Sequence, residues 1–302
     1  MSSLSFVTVD VFTKTKFTGN PLAIVRLPEG RNVSTEQMQM IAREFNLSET
    51  VFIHEAAQAK DSVPAWQVRI FLVNGELPFA GHPTIGAACY ALGSLTQNAK
   101  KGKLHCNAGP IELEFDGTDA RASIPQNVHI HTEHEVTIDQ VYYFQPAIAH
   151  SQPPKAVDLV SPVKGVSFVC VELPSLEVLA QVQRPGIAVA PKLDDSWNGG
   201  FIGSYFYVIT KQDDSIWEIR TRMIEMSMED PATGSAACAL GAFLALKHKL
   251  KSVRYSFRQG VEMGRQSDIG LEVTLSENLD AVEHIELVGS AVKVMEGTVY
   301  YK

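Results

Sequence analysis

The sequence predicts a mixed α/β (α+β) fold built as two pseudo-symmetric halves, and three observations lead to it. Arg69, Glu76, Pro78 and Gly81 recur as Arg222, Glu229, Pro231 and Gly234, all at one offset of 153 residues. Each set follows an apolar run and precedes a segment of small apolar residues, 83–92 and 236–246, so each reads as strand, polar loop and buried helix. A chain of 302 residues is also long enough to divide into two domains.

Residues 6–12 read as a strand rich in Val and Phe. A Lys/Thr turn leads to Phe17-Thr-Gly-Asn-Pro21, and 22–25 form a second short strand. Ser34-Thr-Glu-Gln37 has capping-box spacing, with Met38, Ile41, Ala42 and Phe45 following at helical intervals. Asn46 closes that helix, and Leu47-Ser-Glu49 turns directly into a strand over 50–53. A carboxylate at such a corner, flanked by apolar residues, is well placed to be half buried. Residues 56–64 read as a polar loop, 66–73 as the strand entering the first motif, and 93–103 as a surface turn. Strands are expected over 104–106, 111–115 and 121–124.

From 125 to 162 the pattern loosens, with several prolines, and the domain boundary is placed there. The halves are therefore 1–125 and 126–302, with the last strand left free to cross back to the first. The second half restarts with Phe168-Val-Cys-Val-Glu172, an echo of Phe6-Val-Thr-Val-Asp10. A helix-like run over 176–182 and a Gly-rich loop around Gly199 precede strands at 204–210 and 217–224. After the second motif and its helix, 254–258, 269–275 and 281–294 read as strands, with Gly260-Val-Glu-Met-Gly264 between the first two.

The two motif loops carry the chemistry. Pro83 suits a first helical turn, where its missing N–H costs nothing, and Ser235 suits an N-cap. A glycine before each helix lets a ligand approach unpaired N–H groups at the positive end of the dipole. Two such ends brought together by an internal two-fold, Gly81 facing Gly234 with His82 and Asp230 lining the cleft, would hold a small anion, most simply a carboxylate. Glu49 is the candidate general base, since burial at its corner would raise its pKa toward neutrality. His82 can donate a proton or bond a substrate oxygen, and Asp230 can orient it or act beside it.

Composition narrows the class. A net charge of −8 argues against nucleic-acid or anionic-membrane partners. Cys89, Cys106, Cys170 and Cys238 are widely spaced without a CxxC pair, which reads as buried free thiols. Asp10 interrupts the first apolar run, so no signal peptide is expected, and 236–246 is too short to span a bilayer. The expected compartment is the cytoplasm. His129-Ile-His-Thr-Glu-His134 invites a metal but lacks a partner Cys and reads as a solvated strand, so no metal site is assigned. Gly81-His-Pro-Thr-Ile-Gly86 lacks the following Lys-Ser/Thr of a P-loop, and neither GxGxxG nor GxSxG occurs.

Five segments together resemble the PhzF (phenazine-biosynthesis isomerase) family: Phe17-Thr-Gly-Asn-Pro21, Asn46-Leu-Ser-Glu-Thr50, Arg69-Ile-Phe71 with Glu76-Leu-Pro-Phe-Ala-Gly-His-Pro-Thr84, Glu229-Asp-Pro-Ala-Thr-Gly-Ser235 and Gln259-Gly-Val-Glu-Met-Gly-Arg265. The match runs nearly end to end. It implies the diaminopimelate-epimerase-like fold, in which each half is a curled, mostly antiparallel sheet around a central helix with the active site in the cleft between them. It implies Glu49 as the catalytic acid/base, with His82 and Asp230 as its partners at the substrate. Ser48, Gly81, Gly234 and Ser235 match groups that hold the substrate. The phenazine enzyme isomerises trans-2,3-dihydro-3-hydroxyanthranilate by proton transfer with no metal or organic cofactor, and a homodimer is implied. Diaminopimelate epimerase and proline racemase carry a cysteine in each motif, where this chain has Ala80 and Thr233. Two-thiol racemisation is therefore not available. The reading is a cofactor-independent isomerase of a small carboxylate-bearing substrate, and its rival is a catalytically idle protein that binds small molecules in the same cleft.

Overall fold

The first small-residue segment is buried at every position, because a sheet closes on itself around it. The protein is described here from a computed structural model, which covers residues 2–54, 63–96, 98–133, 136–197, 199–213 and 216–301. Most of the polar loop expected over 56–64, and His134 of the histidine run, lie outside the described residues. The chain divides into two compact units, 1–125 with 286–302, and 126–285. The last strand thus belongs with the first unit, whereas the range 126–302 counts it with the second while leaving it free to return.

In the first unit β1 (Ser2–Val11) pairs antiparallel with β2 (Asn20–Leu27). Helix α1 (Thr35–Phe45) then carries the chain over to β3 (Thr50–His54), parallel to β2. Its start is the capping box read from sequence, with Ser34 accepting from Gln37 N–H, and Asn46 ends it in the left-handed region at φ 51°. The circuit continues through β4 (Ala65–Phe71) with its short partner β5 (Glu76–Leu77), to β6 (Lys101–Cys106), β7 (Gly109–Phe115) and β8 (Asp119–Ser123). The final strand, Val282–Tyr301, pairs with β8 through residues 286–290 and with β1 through 291–301, which closes the ring.

Inside that ring lies α2 (Gly81–Tyr90), followed by one π-helical turn, Ala91–Leu95. The surface turn expected over 93–103 is therefore partly helix, and β6 starts earlier, at Lys101. Gly86 explains how close the helix comes to the strands, since a Cβ there would sit 2.5 Å from Leu22 Cδ2. On the outer face α1 presses Met38, Ile41 and Ala42 onto Leu4, Val25, Leu27, Phe52 and Phe71. Each such fully buried Leu, Ile, Val, Phe or Met side chain contributes roughly 1.5–3 kcal/mol.

The second unit repeats the connectivity. After β9 (His129–Ile130) and α3 (Ile138–Phe144), β10 (Ala156–Val163) and β11 (Val166–Glu172) pair antiparallel. Helix α4 (Leu176–Gln181) crosses over to β12 (Phe201–Gln212), parallel to β11. Then follow β13 (Ile216–Glu225), the short β14 (Met228–Asp230), the central α5 (Gly234–His248), β15 (Ser252–Gln259) and β16 (Ser267–Leu275). The last strand described above is β17 in this numbering. β13 runs parallel to β15, as β4 does to β6.

Two expectations change. The loosened stretch 125–162 holds β9, α3 and β10, and the strand equivalent to β1 is β10, so the echo of Phe6–Asp10 at 168–172 falls one strand late. The reason is packing: β10 buries Leu159 to Pro162 continuously and lacks the alternation that marks a half-exposed strand. Apolar on every side, α5 is buried along most of its length, and a Cβ at Gly241 would meet Leu271 Cδ2 at 2.3 Å. On the other face of the sheet, Val141 and Phe144 of α3 and Val178 and Leu179 of α4 cover Leu159, Val169, Val171 and Phe206.

Candidate active site

Three segments of the first unit bring polar groups together. The corner after α1 carries Ser48 and Glu49, the start of β2 carries Asn20, and the first turn of α2 carries His82. His82 Nδ1 lies 3.6 Å from Glu49 Oε2 and 3.5 Å from Asn20 Nδ2, and Ser48 Oγ donates to Asn20 Oδ1 at 3.5 Å. The Glu49 side chain is 14% exposed and that of His82 4%. Glu49 Oε2 is buried without a hydrogen-bond partner among the described residues. Burial pushes the Glu49 carboxyl up to about 7, against a smaller opposing effect of the Ser48 hydroxyl. A carboxyl so poised is divided between its two forms at neutral pH and can both take and return a proton.

In the second unit Asp230, Gly234 and Ser235 lie together at the entry to α5. Helix α5 begins at Gly234 and its N-cap is Thr233, so Ser235 lies inside the first turn and is not the cap that its residue type suggests. Thr233 does not cap the helix either; its hydroxyl donates to Asp230 Oδ2 at 2.6 Å. Gln259, fully buried, donates from Nε2 to the Asp230 carbonyl at 2.8 Å and to Thr233 Oγ1 at 2.9 Å. In the first unit α2 has Ala80 as N-cap, with no side-chain hydrogen bond to the helix. Each central helix thus starts at a buried glycine, Gly81 or Gly234, behind an N-cap whose side chain leaves the first-turn N–H groups alone.

The repeated Arg and Glu turn out to be clamps. Arg69 holds Glu76 through Nε (2.8 Å) and Nη2 (2.6 Å), and Arg222 holds Glu229 through Nε (2.7 Å) and Nη2 (2.9 Å). Each fork ties the strand before the motif to the short strand that opens it. The sequence puts these residues in register; their pairing, and the placing of Asn20, Thr233 and Gln259, escaped it. All three lie in or beside the motif segments, but only side-chain direction shows what they touch.

The histidine run is not a solvated strand. His131 is buried, and His129, His131 and Asp194 each bring one ligand atom within 4.8 Å of the others. All three already make hydrogen bonds. Asp194 accepts from Glu133 N–H (3.0 Å) and Thr132 N–H (3.1 Å) and meets His129 Nε2 at 2.9 Å; chiefly the Glu133 N–H pulls its carboxyl down to about 2. His131 Nδ1 accepts Asp194 N–H at 3.1 Å and Nε2 lies 2.8 Å from Ser161 Oγ. Trp197 stacks on His129 with ring centroids 4.6 Å apart. The group clasps the loop before β12 onto β9.

All four thiols are pushed up by burial, Cys89 and Cys238 to about 12, with Cys106 and Cys170 in the same direction. Among the described residues no helix is long and apolar enough to cross a membrane.

Comparison with known proteins follows the same lines. A family model described as phenazine biosynthesis-like protein matches residues 9–297. A protein of Mesorhizobium japonicum named as an uncharacterized isomerase is 32% identical over 99% of this chain and 100% of its own. The trans-2,3-dihydro-3-hydroxyanthranilate isomerase of Pseudomonas chlororaphis is 30% identical over 97% of this chain and 98% of its own. Among solved structures, a PhzF-family phenazine biosynthesis protein of Bacillus anthracis matches with a TM-score of 0.76 at 21% identity, covering 99% of this chain and 100% of that one. The likeness is one of fold: mixed α/β, with extensive curled sheets around few helices.

Proposed function

The chain belongs to the phenazine biosynthesis-like family and is an isomerase, and on that premise we propose that it moves a proton within a small carboxylate-bearing substrate without a cofactor. The observation that carries this reading is Glu49: a carboxyl at the end of α1, raised to about 7 by burial, 3.6 Å from His82. In this reading the Glu49 carboxylate removes an activated C–H proton and returns it to another carbon of the same π system, so the protein ends as it began. His82 and Asp230 take part in the same reaction, holding substrate oxygens and assisting the transfer. Ser48, Gly81, Gly234 and Ser235 hold the substrate, with the helix N-termini balancing its carboxylate and the charge that develops on it. Thiol chemistry fits poorly, since Ala80 and Thr233 stand where racemases carry cysteines and the four thiols present are held protonated.

The substrate class is that of the Pseudomonas relatives' isomerase, a trans-2,3-dihydro-3-hydroxyanthranilate or a compound of like size and charge. The protein is read as a cytoplasmic homodimer; light scattering that gives a monomer at micromolar concentration removes the dimer. The test of the activity is solvent exchange. Incubated in D2O with trans-2,3-dihydro-3-hydroxyanthranilate and a panel of cyclic unsaturated carboxylates, the enzyme is expected to wash deuterium into one carbon of its substrate. Binding across the panel without any exchange would instead favour an idle small-molecule-binding protein.

A further inference from the structure

The hydrogen bonds around Asp230 have a direction, and one buried amide sets it. Gln259 stands at the end of β15 with no solvent exposure, beside Thr221 on β13 and Ser267 on β16. All four of its valences are engaged. Its Nε2 donates to Asp230 O (2.8 Å) and Thr233 Oγ1 (2.9 Å), while its Oε1 accepts from Thr233 N–H (3.3 Å) and faces the Tyr205 hydroxyl (3.3 Å), whose hydrogen is shared with Thr221 Oγ1 (3.1 Å). The amide thus grips both ends of the loop Asp230-Pro-Ala-Thr233, as a peptide group on a neighbouring strand would. Exchanging its oxygen and nitrogen would set acceptor against acceptor at Asp230 O and donor against donor at Thr233 N–H.

That fixed orientation decides where the Thr233 proton goes. Thr233 Oγ1 already accepts from Gln259, so its own hydrogen points to Asp230 Oδ2, 2.6 Å away, in the shortest contact of the group. At most helix N-termini a threonine oxygen would instead accept from the first-turn N–H groups. Here it is recruited by the carboxylate, which also leaves the start of α5 without a side-chain cap. Gly260 makes the approach possible: its φ is +73°, and a Cβ there would sit 2.7 Å from Pro231 O.

We infer that Gln259, acting through Thr233, is the positioning residue of Asp230: it polarises the threonine hydroxyl toward the carboxylate and holds that carboxylate in one orientation. The assignment rests on the reading that Asp230 serves the proton transfer, and the experiment keeps the two apart.

Crystal structures of the parent and of Thr233→Val, Thr233→Ser and Gln259→Glu decide the positioning without any substrate. Thr233→Val keeps the shape and removes the donor, so the Asp230 carboxylate is expected to rotate away or take several orientations; Thr233→Ser is expected to restore the parent orientation. In Gln259→Glu the new carboxylate accepts the Thr233 proton and Asp230 loses it. An Asp230 unmoved in Thr233→Val, or displaced alike in Val and Ser, overturns the proposal even if Gln259→Glu fails to fold.

Deuterium exchange on trans-2,3-dihydro-3-hydroxyanthranilate gives the functional arm. Misplacement of a reacting group by about 1 Å costs on the order of 10²-fold, so Thr233→Val is expected to lose about that much in kcat with little change in KM, and Thr233→Ser to recover it. An Asp230→Asn variant that turns over at the parent rate sinks the reading of Asp230, while the crystal structures still decide whether Gln259 positions it. A parent enzyme that leaves this compound untouched removes the assigned substrate, and again the crystal structures alone decide the positioning.

Discussion

At the 153-residue offset the two units share Arg69 and Arg222, Glu76 and Glu229, Pro78 and Pro231, Gly81 and Gly234, yet the proposed reacting groups have no such partners. Glu49 corresponds to Ile202, His82 to Ser235, and Asp230 to Leu77. What repeats builds the motif: a forked ion pair bracing a hairpin, then a glycine opening a buried helix. What does not repeat is the proposed chemistry: the carboxyl proposed as the base, Glu49, has an isoleucine, Ile202, at the matching position. On the proposed reading, a duplicated frame carries a reaction that needs no matched pair of bases.

The sharpest way to break this contrast is to remove the proposed base. Glu49→Gln keeps volume and hydrogen bonding, and turnover is expected to fall by ~10²–10⁴ while ligand affinity changes little. Steady-state rates beside calorimetric binding check it; turnover near the parent value would remove Glu49 as the base.

The clamps come next, because the same fork is buried to different depths. The Arg222 and Glu229 side chains are 7% and 4% exposed, against 21% and 22% for Arg69 and Glu76. Arg222 Nη1 also donates to the carbonyls of Leu179, Ala180 and Val182 at the end of α4, whereas beyond its glutamate Arg69 reaches the Thr35 hydroxyl through Nη2 and Met38 Sδ through Nη1, both on α1. Glu229→Gln is expected to cost about 3–5 kcal/mol, since it strands a buried guanidinium. Glu76→Gln should cost ~1 kcal/mol, the scale of a half-exposed pair. Urea unfolding of both variants measures the gap, and equal losses would mean that burial is not what distinguishes the two.

Glu49 predicts a smaller effect on stability that depends on pH. Its carboxyl titrates near 4.5 in the unfolded chain and about 7 in the fold. Between those values the folded state holds a proton that the unfolded state has released, so stability falls as pH rises through the window and levels off above it. Glu49→Gln should match the parent at pH 4 and exceed it by about 3 kcal/mol at pH 8. Melting curves at the two pH values check the sign.

The smallest expected difference lies in the outer helices. Ser34→Ala removes a full capping box and should cost ~1 kcal/mol, while Ser175, whose only cap bond is 3.4 Å long, should cost about half as much. Thermal denaturation of the two alanine variants ranks them.

Much of this frame was legible in the residues. Ser34, Gln37 and Asn46 mark α1 because capping is local chemistry, and the small-residue runs mark α2 and α5 because a helix enclosed by sheet is apolar all round. Glu49 was legible as a half-buried corner carboxylate for the same reason. Local pattern failed where partners are distant in the chain. Nothing near Leu159 announces that β10 is buried on both faces, and nothing near Ser235 says that the N-cap falls two residues earlier, at Thr233. The Thr233 hydroxyl is drawn from capping to Asp230 by Gln259, 26 positions away. His131 reads as polar surface until Asp194 and Ser161 come to meet it.

The return of β17 to β1 and β8 sets a timetable for the chain as it leaves the ribosome. The N-terminal ring lacks one wall until residues 286–301 have been made, whereas the unit 126–285 has all its strands before then. Synthesis at ~5–20 residues per second puts on the order of ten to thirty seconds between β8 and that wall. The half synthesised first is therefore the last to be finished, and during the interval the edges of β1 and β8 stand open to any strand that can pair with them.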